Sequence, residues 1–184
     1  MKKILVVVTL VVLSSIAAFS QKSGDELSAQ TKGTKIKLTL GAGSDSSKLM
    51  GVGENFTDAE AKAAKITAMN FAIGFFFPGQ TLERAPDQIM LTFWIMSKKP
   101  QFAEKHSLIV YVGGDEIEVG DARYAAKTRE DMEYLNFTLS RDLLIKLASA
   151  GTAHFKLGDA TFAFNREHLR MFADLAEISD PMSK

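Results

Sequence analysis

In the eight residues from Ile89 to Met96, large apolar side chains occupy both parities: Ile89, Leu91, Phe93 and Ile95 on one, Met90, Trp94 and Met96 on the other. Successive residues of a strand point to opposite faces. A strand apolar on both is the mark of a sheet covered on both sides. This chain is therefore expected to build a layered fold around that strand.

The neighbouring segments supply the other elements. Ile36, Leu38 and Leu40 alternate with Lys35, Lys37 and Thr39, a half-buried strand. Phe71, Ile73, Phe75 and Phe77 repeat the same period before Pro78-Gly79 turns the chain. Of Phe75, Phe76 and Phe77, one must point away from the other two. Leu108–Val112 and Ile117–Val119 flank Gly113-Gly114-Asp115-Glu116 as a hairpin. Two further strands follow near Ala122–Ala126 and Glu133–Leu139, and a last hairpin joins His154–Leu157 to Thr161–Phe164. Gly41 to Asn55 reads as a long glycine- and serine-rich loop, within which Leu49, Met50 and Val52 could form a short strand.

Three helices carry start signals. Thr57 and Glu60 form a capping box ahead of a helix from about Asp58 to Ala68. Ser140 caps a second, ended by Gly151, and Asn165 a third, in which Leu169, Phe172, Leu175 and Ile178 recur at helical spacing. Phe137, Ser140, Arg141, Asp142, Leu144, Leu147 and Ala148 are matched in kind 25 residues later by Phe162, Asn165, Arg166, Glu167, Leu169, Phe172 and Ala173. Any strand feeding a capped helix needs this chemistry, so with only two copies shared chemistry is preferred over duplication. Together these elements predict an α+β fold: a mostly antiparallel sheet of about seven to eight strands, two C-terminal helices on one face and a short helix before the core strands.

The first twenty residues have a different character. Lys2 and Lys3 precede an apolar run from Ile4 to Leu13, and Ala18 and Ser20 bracket Phe19. This is the layout of a signal peptide cleaved after Ser20. A permanent anchor would need about 20 predominantly apolar residues, whereas this run gives way to Ser14 and Ser15. Residues 21–33 then read as a flexible tether with a single leucine, and 34–184 as one domain. The expected location is periplasmic or extracellular, without a membrane anchor after cleavage. The chain has no cysteine, so an exported domain of this kind holds together by packing alone, and 13 phenylalanines are available for that. Removing Lys2 and Lys3 leaves 20 basic against 22 acidic residues. That overall balance draws neither nucleic acid nor anionic lipid.

Catalytic signatures are missing. The loop Gly41-Ala42-Gly43-Ser44 follows a strand, but neither GxxxxGK[ST] nor GxGxxG is completed. His106, His154 and His168 show no metal-ligating spacing. No serine sits in a GxSxG or SxxK setting. The acids around Asp115 to Glu118 and Glu130 to Glu133 fall on turns and loop edges, where solvated charge is expected. No catalytic residue, metal site or cofactor is predicted. The expected role is a non-enzymatic binding module for an envelope or extracellular protein or a small apolar ligand, through Met90, Trp94, Met96, Phe77, Gln80 and Arg84. Against this, the Trp94 face could be ordinary core beneath a helix. Two rival functions stand beside it: a hydrolase drawing on His154, His168, Asp159 and Glu167, and an inhibitor projecting the Pro78–Asp87 loop.

Gly-x-x-Phe-Pro-Gly-Gln-x-Leu-x-x-Ala-Pro-Asp from Gly74 to Asp87, the Gly-Gly-Asp-Glu hairpin and the Leu-Gly-Asp turn before the last helix resemble uncharacterised secreted bacterial domains over residues 66–178. The resemblance implies a fold and a location, and no activity or site residue.

Overall fold

The computed structural model describes residues 21–42, 45–127 and 131–182; the expected signal peptide lies outside them. Chain order is α1 (Gly24–Gln30), β1 (Ile36–Thr39), β2 (Ser47–Val52), α2 (Asp58–Ala63), β3 (Ala68–Phe77), β4 (Gln88–Met96), β5 (Ser107–Val112) and β6 (Asp115–Asp121). There follow β7 (Arg123–Lys127), β8 (Met132–Ser140), α3 (Arg141–Ala148), β9 (Ala153–Leu157), β10 (Ala160–Phe164) and α4 (Arg166–Ile178). The fold is α+β and every strand pairing is antiparallel.

The strands form two sheets rather than one: a six-stranded sheet ordered β1-β2-β3-β4-β8-β7 and a four-stranded sheet ordered β10-β9-β5-β6. The single sheet expected from the sequence is corrected accordingly. The split occurs between β6 and β7, which follow one another with only Ala122 between them. Gly120 sits at φ 101° and the β5–β6 register shifts between Leu108 and Ile109. Such an irregularity bends a strand and raises its twist, which lets the chain leave one sheet for the other.

The core lies between the sheets. Phe93 of β4 stacks on Phe155 of β9 with ring centroids 5.0 Å apart, and Phe71 of β3 stacks on Phe172 of α4 at 5.6 Å. Phe56, from the β2–α2 connection, touches both sheets through Phe93 and Phe155. Helices α3 and α4 pack on each other, α3 also against β4 and β8, α4 against β1, β2 and β10. The inner face of the large sheet is thus closed by the small sheet and two helices.

Residues 21–33 are not a tether. Ser23 and Glu26 form a capping box, α1 follows, and Leu27 is fully buried. Lys22 pairs with Leu82 through the backbone, and its ammonium donates to the Glu177 and Ile178 carbonyls at the end of α4. Orphan carbonyls at a helix C-terminus favour a cation there. One buried leucine and one lysine therefore order a segment whose composition alone predicts disorder.

Candidate functional site

The register of the large sheet places one row of side chains on the face turned away from the small sheet. At its centre Trp94 of β4 lies between Asn70 of β3 and Tyr134 of β8. Met96 lies between Ala68 and Met132, Met90 between Gly74 and Thr138, and Thr92 between Ala72 and Asn136. Thr92 Oγ1 donates to Asn136 Oδ1 at 2.8 Å, so these two satisfy each other. On β2, Met50 stands opposite Gly74, Val52 opposite Ala72 and Lys48 opposite Phe76.

Burial alternates across this sheet. On β4, Ile89, Leu91, Phe93 and Ile95 are at most 1 % exposed, whereas Trp94 and Met90 are half-buried and Met96 is 46 % exposed. The expectation of a strand covered on both sides is corrected: the helices and the small sheet close one face only. Trp94 is half-buried on the other face, flanked in the register by Asn70 and Tyr134. Phe76 is 57 % exposed and Val52 46 %, both on the same open face. Gly74 is required there. A Cβ on it would run into the Leu49 carbonyl oxygen and Met50 Sδ, so β2 and β3 close tightly beneath the methionines.

Asn70 Oδ1 is buried on this face with no hydrogen-bond partner. Native proteins leave few such atoms unmet, which singles out Asn70 as a position to test.

Beside the face, a groove of about 390 Å³ runs along residues 75–78 and 81–88, lined in part by Phe76, Arg84 and Asp87. Phe76 belongs to both features. The expected site residues divide on this geometry. Met90, Trp94 and Met96 share the open face and Arg84 lines the groove. Phe77 also lines the groove but is 5 % exposed and packs against Phe75, and Gln80 spends its amide on the Gly41 carbonyl at 3.0 Å. The outward one of the three phenylalanines is Phe76. Met132 and Tyr134 were legible only as the alternate parity of β8, a signal that cannot tell a covered face from an open one.

The Pro78–Asp87 segment does not project. Leu82 is 2 % exposed and bonded to Lys22 in both directions, and Ser47 Oγ donates to the Gly79 carbonyl.

The residues of the hydrolase reading stay apart. His154 is exposed, stacked on Tyr111 at 4.7 Å on the outer side of the small sheet, while His168 is 1 % exposed among Phe56, Phe71 and Phe164. His168 stands third in α4, where its Nδ1 accepts from Asn165 N–H and its Nε2 donates to the Glu54 carbonyl at 3.0 Å. Both ring nitrogens are occupied, which fixes the neutral tautomer, and burial lowers its pKa. Asp159 pairs with Lys105 at 2.6 Å and Glu167 approaches Lys35 at 3.7 Å. Among the described residues no three acids or histidines gather as metal ligands.

Glu133, expected as a solvated loop-edge acid, is 1 % exposed. Its carboxylate accepts from Ser97 Oγ, from the N–H groups of Gln101 and Phe102 at 2.9 Å each, and from Tyr124 Oη at 3.3 Å. The inward parity of β8 places it under the 97–105 loop. It is a closing contact, with its oxygens spent on that loop.

No family model matches the chain, and no curated protein or solved structure proves similar to it.

Proposed function

We propose that the chain is an exported, non-enzymatic binding module that uses the open face of its large sheet and the groove at its margin. The single observation behind this is the open face itself, where Phe76, Val52 and Met96 present apolar surface beside half-buried Trp94 and Met90. Soluble domains rarely leave contiguous apolar area uncovered unless something binds it. Export rests on the pattern of the first twenty residues. The competing arrangement of His154 and His168 lacks a shared cleft, so no observation favours a hydrolase.

Trp94 is the only tryptophan, which makes the test direct. Its emission in the free monomer is expected to be partly accessible to acrylamide and to become protected when a partner binds. Full protection in the free monomer would sink the reading. N-terminal sequencing of protein recovered from an exporting bacterial host is expected to begin at Gln21; an intact Met1 would remove the export half of the proposal.

A further inference from the structure

At the outward strand positions of the open face the charges are all of one sign. The positions with described side chains run from Lys37 and Thr39 on β1, through Lys48, Met50 and Val52 on β2, to Arg123 and Ala125 on β7, with the β3, β4 and β8 rows between. No aspartate or glutamate occurs among them, although the chain holds 22 acids against 22 bases. Lys37 and Lys48 stand at one lateral margin and Arg123 at the other, with the apolar centre between. None of the three forms an ion pair among the described residues. Beyond the strand positions, exposed Lys98 and Lys99 lie at the end of β4 with exposed Asp131 beside them. Acids gather elsewhere, β6 alone carrying Asp115, Glu116, Glu118 and Asp121. The overall balance of charge therefore conceals a local segregation.

We propose that this face docks on an anionic lipid bilayer. The inference rests on the binding-module reading and names its partner. Three features fit a bilayer surface together. The face is broad and open, so it suits a surface more than a single enclosed ligand. Its centre offers Trp94 and Tyr134, ring systems with an apolar body and a polar tip of the kind that settle at the headgroup level. Its margins supply cations to lipid phosphates, while exposed Phe76, Val52 and Met96 reach toward the acyl boundary. A second copy docked face to face fits less well. A two-fold axis through the middle of the face would set a margin of lysines and arginine against another of the same sign.

The test uses protein from expression of the full chain, in the same state of N-terminal processing for every variant. Trp94 emission and co-sedimentation are followed with vesicles of phosphatidylglycerol mixed equally with phosphatidylcholine, and with phosphatidylcholine alone. Expected is a blue shift and acrylamide protection of Trp94 with the anionic vesicles only, weakened by salt. Each basic residue near such a surface contributes about fivefold to partition, so K48E with R123E should lower it by roughly 25-fold or more. F76S should lower it by about tenfold. Both variants alter exposed or half-exposed side chains, and unchanged circular dichroism confirms that they fold. Binding by the N-terminal apolar run alone would leave Trp94 and the variants indifferent, which overturns the proposal. So would equal binding to neutral vesicles. An accessible Trp94 that no vesicle shifts, but that a soluble partner or a second copy protects, overturns the lipid partner and leaves the binding module standing.

Discussion

The two faces of the six-stranded sheet are built from the same strands and obey different rules. On the inner face, Phe71, Phe93 and Phe137 are at most 4 % exposed and meet rings from the small sheet, α4 or neighbouring strands. On the outer face, one residue further along each strand, Phe76 is 57 % exposed and Asn70 holds an unmet oxygen. Hydrophobicity alone does not separate them, since β4 is apolar at both parities. What separates them is whether a second layer arrives. The inner face is spent on stability and the outer face remains available for contact.

Phe93→Ala should break the inner face and Phe76→Ser should leave stability nearly untouched. Removing a buried phenylalanine costs about 3–5 kcal/mol, whereas a surface change away from special features stays within about 0.5 kcal/mol. Urea unfolding of both variants measures the difference. A large loss from Phe76→Ser would mean that the outer face is also core.

Leu27→Ala tests whether the inner layer extends to the N-terminal segment. Leu27 is fully buried, and its truncation should cost about 3 kcal/mol if α1 is part of the cooperative unit. A flexible segment would give no change in the urea midpoint.

His168→Gln carries the comparison into pH. Burial holds the His168 pKa below its ordinary value, so the unfolded chain takes up a proton that the native state refuses. The stability due to the neutral ring is complete above about pH 6.5 and is lost as pH falls through that value toward the folded one. Glutamine at the same position can keep the reciprocal cap with Asn165 and does not titrate. The variant should lose about 1–3 kcal/mol of ring packing at neutral pH and flatten the decline just below pH 6.5. An unchanged slope would assign that decline to other groups. Outer-face variants such as Met96→Ser should keep the wild-type slope.

Local signals in the sequence were sufficient for most elements. Period-two runs marked β1 and β3, a run apolar at both parities marked β4, and the caps at Thr57, Ser140 and Asn165 stand where the helices begin. The pairing of strands was not local. Whether β5 joins β4 or β9 depends on a bend at Gly120 and on phenylalanines about sixty residues apart in the chain finding one another. The site was legible as a set of residues on β4 and illegible as a surface, because an apolar parity reads alike under a helix and in the open. Its basic margins come from β1, β2 and β7, and only the register brings them to one face.

The smallest effect is the most pointed. Asn70 sits mid-strand on the outer face, where asparagine is a poor strand former, and its Oδ1 is buried without a partner, whereas Thr92 and Asn136 nearby bond each other. Asn70→Val removes the unmet acceptor and puts a β-branched side chain on the pleated surface, so it should stabilise the fold by about 1 kcal/mol in urea with an unchanged m-value. Stabilising substitutions are easy to find in natural proteins, so a gain in stability alone assigns Asn70 no role. A gain in stability together with altered shielding of Trp94, its cross-strand neighbour, would mark Asn70 as a residue chosen for contact. A loss of stability would show that the oxygen has a partner in solution, and would remove the one polar anomaly that distinguishes the outer face from an ordinary solvated sheet.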